Sequence, residues 1–217
     1  MRKIALLALF VFSVQWLAAQ SLSQTTIKRF SFGADVFTDF WLNPPEGADL
    51  RAINQGANFY GMYNYPFGES DFSFAFGVGM GFHNMYSKSL IEDIKADTIR
   101  FTPLPDSLPM KRTKLGLAYI DVPLEFRFKS PSKFRLALGV KVGYLIDAKA
   151  KYKFAKGDIQ KLKQVENVEK FRFGPTLRVG YSWFSVYAYY SVTKVFRKGK
   201  GPADLYPISI GFTFLPF

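Results

Sequence analysis

Residues 117–128, Leu117-Ala118-Tyr119-Ile120-Asp121-Val122-Pro123-Leu124-Glu125-Phe126-Arg127-Phe128, alternate with a period of two. The even positions Ala118, Ile120, Val122, Leu124, Phe126 and Phe128 are all apolar. After Leu117 the odd positions are Tyr119, Asp121, Pro123, Glu125 and Arg127. That period marks a β-strand with two unlike faces. In a soluble sandwich the apolar face would meet a second sheet and the charged face bulk water. One strand alone therefore leaves two architectures open.

The rest of the chain repeats the pattern. Segments 30–40, 56–65, 72–82, 134–146, 171–181, 184–193 and 206–217 alternate in the same way, which with 117–128 makes eight. In 72–82, Phe72, Phe74, Phe76, Val78, Met80 and Phe82 oppose Ser73, Ala75, Gly77, Gly79 and Gly81. Each segment is long enough to cross a bilayer as a tilted strand, for which about 9 to 11 residues suffice. The connections sort by length. Those at 66–70, 129–133 and 182–183 are short, and those at 41–55, 87–113, 147–170 and 197–205 are longer. Short turns at one end and long loops at the other are the asymmetry of outer-membrane barrels, with the short turns periplasmic.

Composition agrees. Of 217 residues, 18% are aromatic, with 24 Phe and 12 Tyr, yet beyond residue 19 no apolar run approaches the ~18 residues of a membrane helix. There is no cysteine, so disulfides do not hold this exported chain together. Met1-Arg2-Lys3, the mostly apolar run 4–17 and the pair Ala18-Ala19 read as a signal peptide over residues 1–19, cleaved near residue 19. Residues 20–217 then form one domain. The expected fold class is all-β: an eight-stranded antiparallel transmembrane barrel with short periplasmic turns and long extracellular loops.

Parity then assigns the faces. A Lys or Arg on the lipid side at mid-membrane costs about 2–4 kcal/mol, so Asp35, Asp39, Asp121, Glu125, Arg127, Arg135, Lys141, Arg172 and Arg178 are expected in the lumen. An interior this narrow is filled by side chains, so the charges should pair with one another as a plug. Pro123 within a strand predicts a bulge or a local opening of the ladder. Trp41, Tyr63, Tyr65, Tyr144, Tyr181, Trp183 and Tyr206 lie near strand ends, where an interfacial girdle belongs.

From Tyr119 to Asp147 the sequence resembles the PorT-like outer-membrane barrel proteins of Bacteroidota. In that family a strand of aromatic, apolar, acidic, apolar, Pro, Leu precedes a Gly-rich strand; here Tyr119, Asp121, Pro123 and Leu124 hold those positions, followed by FRLALGVKVGYLID at 134–147. The resemblance implies an eight-stranded barrel in the outer membrane of a Gram-negative cell, and a possible tie to a secretion and gliding assembly. It implies no reaction.

The sole histidine, His83, falls at a strand end expected at the outer rim, with Ser87, Ser89, Glu92 and Asp93 following. A hydrolase acting on lipid A or peptide would need a nucleophile and an orienting group at fixed geometry, which no spacing supplies. One His without Cys makes no metal set, and no cofactor motif is present. Loop cations Lys149, Lys151, Lys153, Lys156, Lys161, Lys163, Arg197, Lys198 and Lys200 contribute to a net charge of +12. On an exported barrel they would face lipopolysaccharide phosphates or an acidic envelope partner rather than nucleic acid, or simply solubilise the loops. A short helix is expected at 160–169, and the prolines Pro103, Pro105 and Pro109 hold the second long loop extended. Phe212, Phe214 and the terminal Phe217 resemble the C-terminal signal read by the barrel assembly machinery, with Pro216 departing from its usual pattern. The expected role is that of a non-enzymatic envelope component, with a hydrolase or a narrow pore as the alternative.

Overall fold

In the computed structural model, residues 29–44, 48–92, 99–103, 110–154, 159–163, 165–201 and 204–215 are described. Residues 1–19, expected as a signal peptide, lie outside them. The strands are β1 (Phe30–Leu42), β2 (Gln55–Pro66), β3 (Phe72–Ser87), β4 (Ser89–Glu92), β5 (Arg100–Pro103), β6 (Met110–Lys129), β7 (Phe134–Phe154), β8 (Ile159–Lys163), β9 (Phe171–Tyr181), β10 (Phe184–Tyr190) and β11 (Tyr206–Phe214). Eight of them, in the order β1-β2-β3-β6-β7-β9-β10-β11, form an antiparallel sheet that β1 closes by pairing with β11. Closure satisfies every strand edge in the hydrocarbon layer, where unpaired backbone groups find no water.

The outer face is apolar. Phe32 is 76% exposed, Phe171 61% and Val78 59%, values that hydrocarbon, not water, accommodates across a whole wall. Asp35, Glu125 and Arg127, by contrast, are at most 1% exposed. Tight turns close the short end, two of them using a left-handed non-glycine residue, Lys133 between β6 and β7 and Ser182 between β9 and β10.

The long-loop end departs from the sequence reading in several ways. β3, β6 and β7 continue well past their membrane-spanning stretches, so residues expected in loops, Lys149, Lys151 and Lys153 among them, stand on strand β7. The segment expected as a helix at 160–169 begins instead as β8, paired antiparallel with the upper half of β7. The Lys-rich alternation there matches a strand edge as well as a helix face, and an unpaired β7 edge gives the strand its hydrogen bonds.

Pro123 opens the ladder locally without a bulge. The β3–β6 register skips Val122 and Pro123 but resumes unchanged from Asp121 to Leu124, because a missing N–H removes a bond without inserting a residue. The β6–β7 register shifts elsewhere, once between Met110 and Arg112 and once at a bulge where Ala118 pairs with Asp147 and Tyr119 with Leu145, leaving Ile146 as the extra residue in β7. Below it the odd residues Arg135, Ala137, Lys141 and Gly143 are buried; above it the even residues Ala148, Ala150 and Tyr152 are.

Placing a cation on the lipid face tests the assignment. Val140→Arg should destabilise the barrel by about 2–4 kcal/mol, measured by urea unfolding in phospholipid vesicles. Substitution at Lys149, above the bulge, should leave stability near wild type.

Candidate functional site

The interior holds a continuous polar column. In its lower half, Asp35 accepts hydrogen bonds from four side chains, Tyr60 (2.8 Å) and Thr213 (2.6 Å) on Oδ1 and Asn58 (2.9 Å) and Arg178 (3.0 Å) on Oδ2. Arg178 also pairs with Glu125, which takes Arg127 at 2.8 Å. Arg127 reaches Asn64 at 3.2 Å, and Arg135 donates to the carbonyl of Leu215 at 3.0 Å. The upper half centres on Arg172, which grips Asp121 through Nη2 at 2.7 and 2.9 Å and through Nε at 3.2 Å. Lys141 lies 3.9 Å from Asp121 and donates to the Tyr187 hydroxyl at 3.1 Å. Tyr187 in turn lies 3.4 Å from Asn58, so the two halves join.

All nine charged residues expected in the lumen are buried there. The structure gathers eight of them into this column; the ninth, Asp39, enters through the histidine. Two glycines make the Arg172–Asp121 pair possible. A Cβ on Gly143 would stand 2.3 Å from Asp121 Oδ1, and one on Gly81 would stand 2.5 Å from Oδ2. Alternation alone does not single out these glycines, because it marks them only as inward and small. Asn58, Tyr60, Tyr187, Ser209 and Thr213 were likewise legible as inward-facing, but not as partners.

His83 is inside the barrel, 2% exposed, rather than at the rim. β3 runs on to Ser87, which leaves the ring below the barrel mouth. Its Nδ1 is 2.9 Å from Asp39 Oδ2 and its Nε2 is 2.7 Å from Arg172 Nη1. A guanidinium only donates, so Nε2 accepts and Nδ1–H donates to Asp39. Ser209 donates to the other Asp39 oxygen at 2.6 Å. The ring therefore has neither nitrogen available for a nucleophile's proton. Ser87 and Ser89 are buried in backbone-directed bonding, Ser87 Oγ accepting from the Ser89 amide and Ser89 Oγ from the Asp49 amide. The Glu92 side chain and Asp93 lie outside the described residues.

Above the column the interior turns apolar. Trp41, Met85, Ile91, Phe101, Leu115, Leu117, Ala150, Tyr152, Val195 and Phe196 pack into one cluster at the long-loop end. Trp41 thus belongs to the cap rather than to the girdle, because its odd parity in β1 points it inward. Tyr65, Tyr181 and Trp183 do stand outward near the short turns, with Trp183 stacked on Phe214. Two voids of about 10 Å³, one beside His83 and Trp41 and one beside Asp35 and Lys141, interrupt the packing, each the size of a single water.

Of the outer cations, Lys149, Lys151 and Lys153 lie on the exterior of β7, and Arg197 and Lys198 are exposed before β11. Lys156 and the side chains of Lys161 and Lys163 lie outside the described residues, as do Pro216 and Phe217. Phe212 and Phe214 face outward on β11. Among the described residues no group of His, Asp or Glu side chains is arranged to hold a metal.

A closed eight-stranded barrel, apolar outside and charged inside, defines an outer-membrane protein of the plugged type. Residues 19–197 match the family described as outer membrane protein beta-barrel domain, and the chain belongs to that family. Among solved structures it is similar to Ail, the attachment invasion locus protein of Yersinia pestis, in complex with the heparin analogue sucrose octasulfate. The identity is 16%, covering 86% of this chain and 97% of that one, with a TM-score of 0.38. No curated protein matches the chain.

The column predicts a large cost for breaking one partner alone. Asp121→Asn leaves Arg172 and Lys141 short of their counter-charge and should destabilise the barrel by about 3–5 kcal/mol. The triple variant Asp121→Leu/Lys141→Met/Arg172→Met, which removes both cations along with their counter-charge, should recover much of that loss in the same urea titration.

Proposed function

We propose that this protein is a non-enzymatic, integral structural or interaction component of the outer membrane, working through its long-loop end. The observation that carries this reading is the filled interior, an ion-pair column beneath an apolar cap with voids of about 10 Å³. Such an interior supports neither a solute path nor a cavity for substrate. The engagement of both His83 nitrogens by Asp39 and Arg172 weighs against the hydrolase alternative. The resemblance at residues 119–147 to PorT-like proteins supports a partner within a secretion or gliding assembly of a Bacteroidota envelope. In this reading the signal peptide is cleaved near residue 19, outer-membrane lipid covers the apolar wall, and the barrel assembly machinery inserts the chain using its C-terminal aromatic residues.

Crosslinking in native outer membranes followed by purification tests the role. A stoichiometric protein partner attached through the long-loop end is the expected result; recovery of the folded barrel alone at every crosslinker length would sink it. In planar bilayers the wild-type protein should be electrically silent, and steady ion-selective conductance would restore the pore reading.

A further inference from the structure

The outer wall of the barrel above the bilayer carries a lattice of like charges. On β6, Arg112 and Lys114 face outward; on β7, the bulge turns Lys149, Lys151 and Lys153 to the same side. The register sets Arg112 opposite Lys153 and Lys114 opposite Lys151. Directly opposed side chains have Cβ atoms about 4.5–5.5 Å apart, and like charges there destabilise the sheet. The lattice continues into the neighbouring strands. On one side Tyr86 of β3 pairs with Lys114, and its ring lies 5.3 Å from both Arg112 and Lys114. On the other, the backbone register brings Lys161 opposite Lys151 and Lys163 opposite Lys149. Among the described residues a single carboxylate answers Arg112, Lys114, Lys149, Lys151 and Lys153: Asp147, which pairs with Lys149. Between Asn84 and Lys149, Gly116 leaves a shallow notch, since a Cβ there would meet nothing closer than 3.6 Å.

Opposed cations persist where an external polyanion compensates them, and the position of this lattice selects the polyanion. The last large exposed apolar residues below it are Ile120 on β6 and Tyr144 and Ile146 on β7. The cations begin a few residues higher and rise roughly 10 Å along tilted strands. They therefore stand at headgroup depth and face sideways, along the membrane plane. We propose that this face binds the phosphorylated saccharide headgroup of the outer-leaflet glycolipid, with phosphate groups seated among Arg112, Lys114, Lys151 and Lys153. The inference rests on the outward orientation of the long-loop end and not on the identity of any protein partner.

The test uses the full-length folded protein in neutral detergent, titrated separately with bisphosphorylated lipid A, dephosphorylated lipid A and dextran sulfate. Bound lipid is counted by native mass spectrometry. Bisphosphorylated lipid A should be retained and the dephosphorylated form released. The variant Lys114→Gln/Lys151→Gln/Lys153→Gln, which loses three of the four seating cations, should bind on the order of a hundredfold more weakly. A control with the same charge removed elsewhere, Lys88→Gln/Lys170→Gln/Lys198→Gln, should bind as wild type. Without lipid the lattice variant should melt at the wild-type temperature or above, since like-charge opposition is relieved; a lower melting temperature overturns the lattice argument. Equal retention of dephosphorylated lipid A, or equal weakening by the control triple, overturns the proposal. Dextran sulfate bound at the lattice with no lipid A retained also overturns it and assigns the face to a soluble polyanion.

Discussion

The Arg172–Asp121 pair is the contact on which the interior is organised. Eight strands enclose a core only as wide as its side chains, so an inward charge finds no bulk water and must be met by a neighbour. Arg172 reaches from β9 across to Asp121 on β6, lies 3.8 Å from the Tyr119 ring centre, and donates to His83 on β3, which links onward to Asp39 on β1. One guanidinium thereby ties together four strands that are not all neighbours in the sheet. The glycines at positions 81 and 143 are the space it occupies. A one-residue slip of β6 would carry Asp121 and Glu125 into lipid and bring Ile120 and Leu124 inside, so the pair also fixes register.

The barrel obeys two opposite solvation rules along one axis. Within the bilayer the charges are inside and the oil is outside; above it the interior holds Leu115, Leu117, Ala150 and Tyr152 while lysines occupy the exterior. β6 makes this change without altering its geometry, because its odd residues switch from Asp121 and Glu125 to Leu115 and Leu117. β7 makes it with a bulge. Were Ile146 not extra, the odd parity that puts Lys141 in the column would drive Lys149, Lys151 and Lys153 into the apolar cap. The bulge thus converts a strand written for lipid into one written for water.

This division explains what the sequence disclosed. Period two survives in any strand with unlike faces, so the eight spanning segments, their facing and the buried charges of the lumen were readable residue by residue. The partners were not, because pairing depends on which strands close the circle and at what stagger, and no single strand encodes that. His83 lies deeper than its sequence position suggests because the extension of β3 beyond it, toward Tyr86 and Ser87, reads as loop once the lipid-facing pattern ends. Position at a strand end suggests the girdle for Trp41, whereas its parity points inward. The region 159–163 is ambiguous for a related reason: alternating Lys and apolar residues at an edge strand fit a helix face equally well until a partner strand is present.

A solid interior also decides what kind of surface the long-loop end offers. The β4–β5 hairpin is anchored to the barrel from above, with the Tyr152 hydroxyl donating to the Ile91 carbonyl at 2.9 Å and Thr113 donating to the Ser89 carbonyl at 2.7 Å. Ile91, Ile99 and Phe101 are buried in the same cluster as Trp41 and Leu117, so the hairpin and the barrel mouth share one core. The approach to β11 is drawn in as well, through the Ile99 amide bonding to the Lys200 carbonyl at 3.0 Å and through the buried Phe196 and Leu205. Loops fastened this way lose less conformational entropy when a partner docks than tethered loops do. The charge column and the apolar cap therefore act toward one end: the first holds the barrel in register, the second holds the outward surface to the barrel.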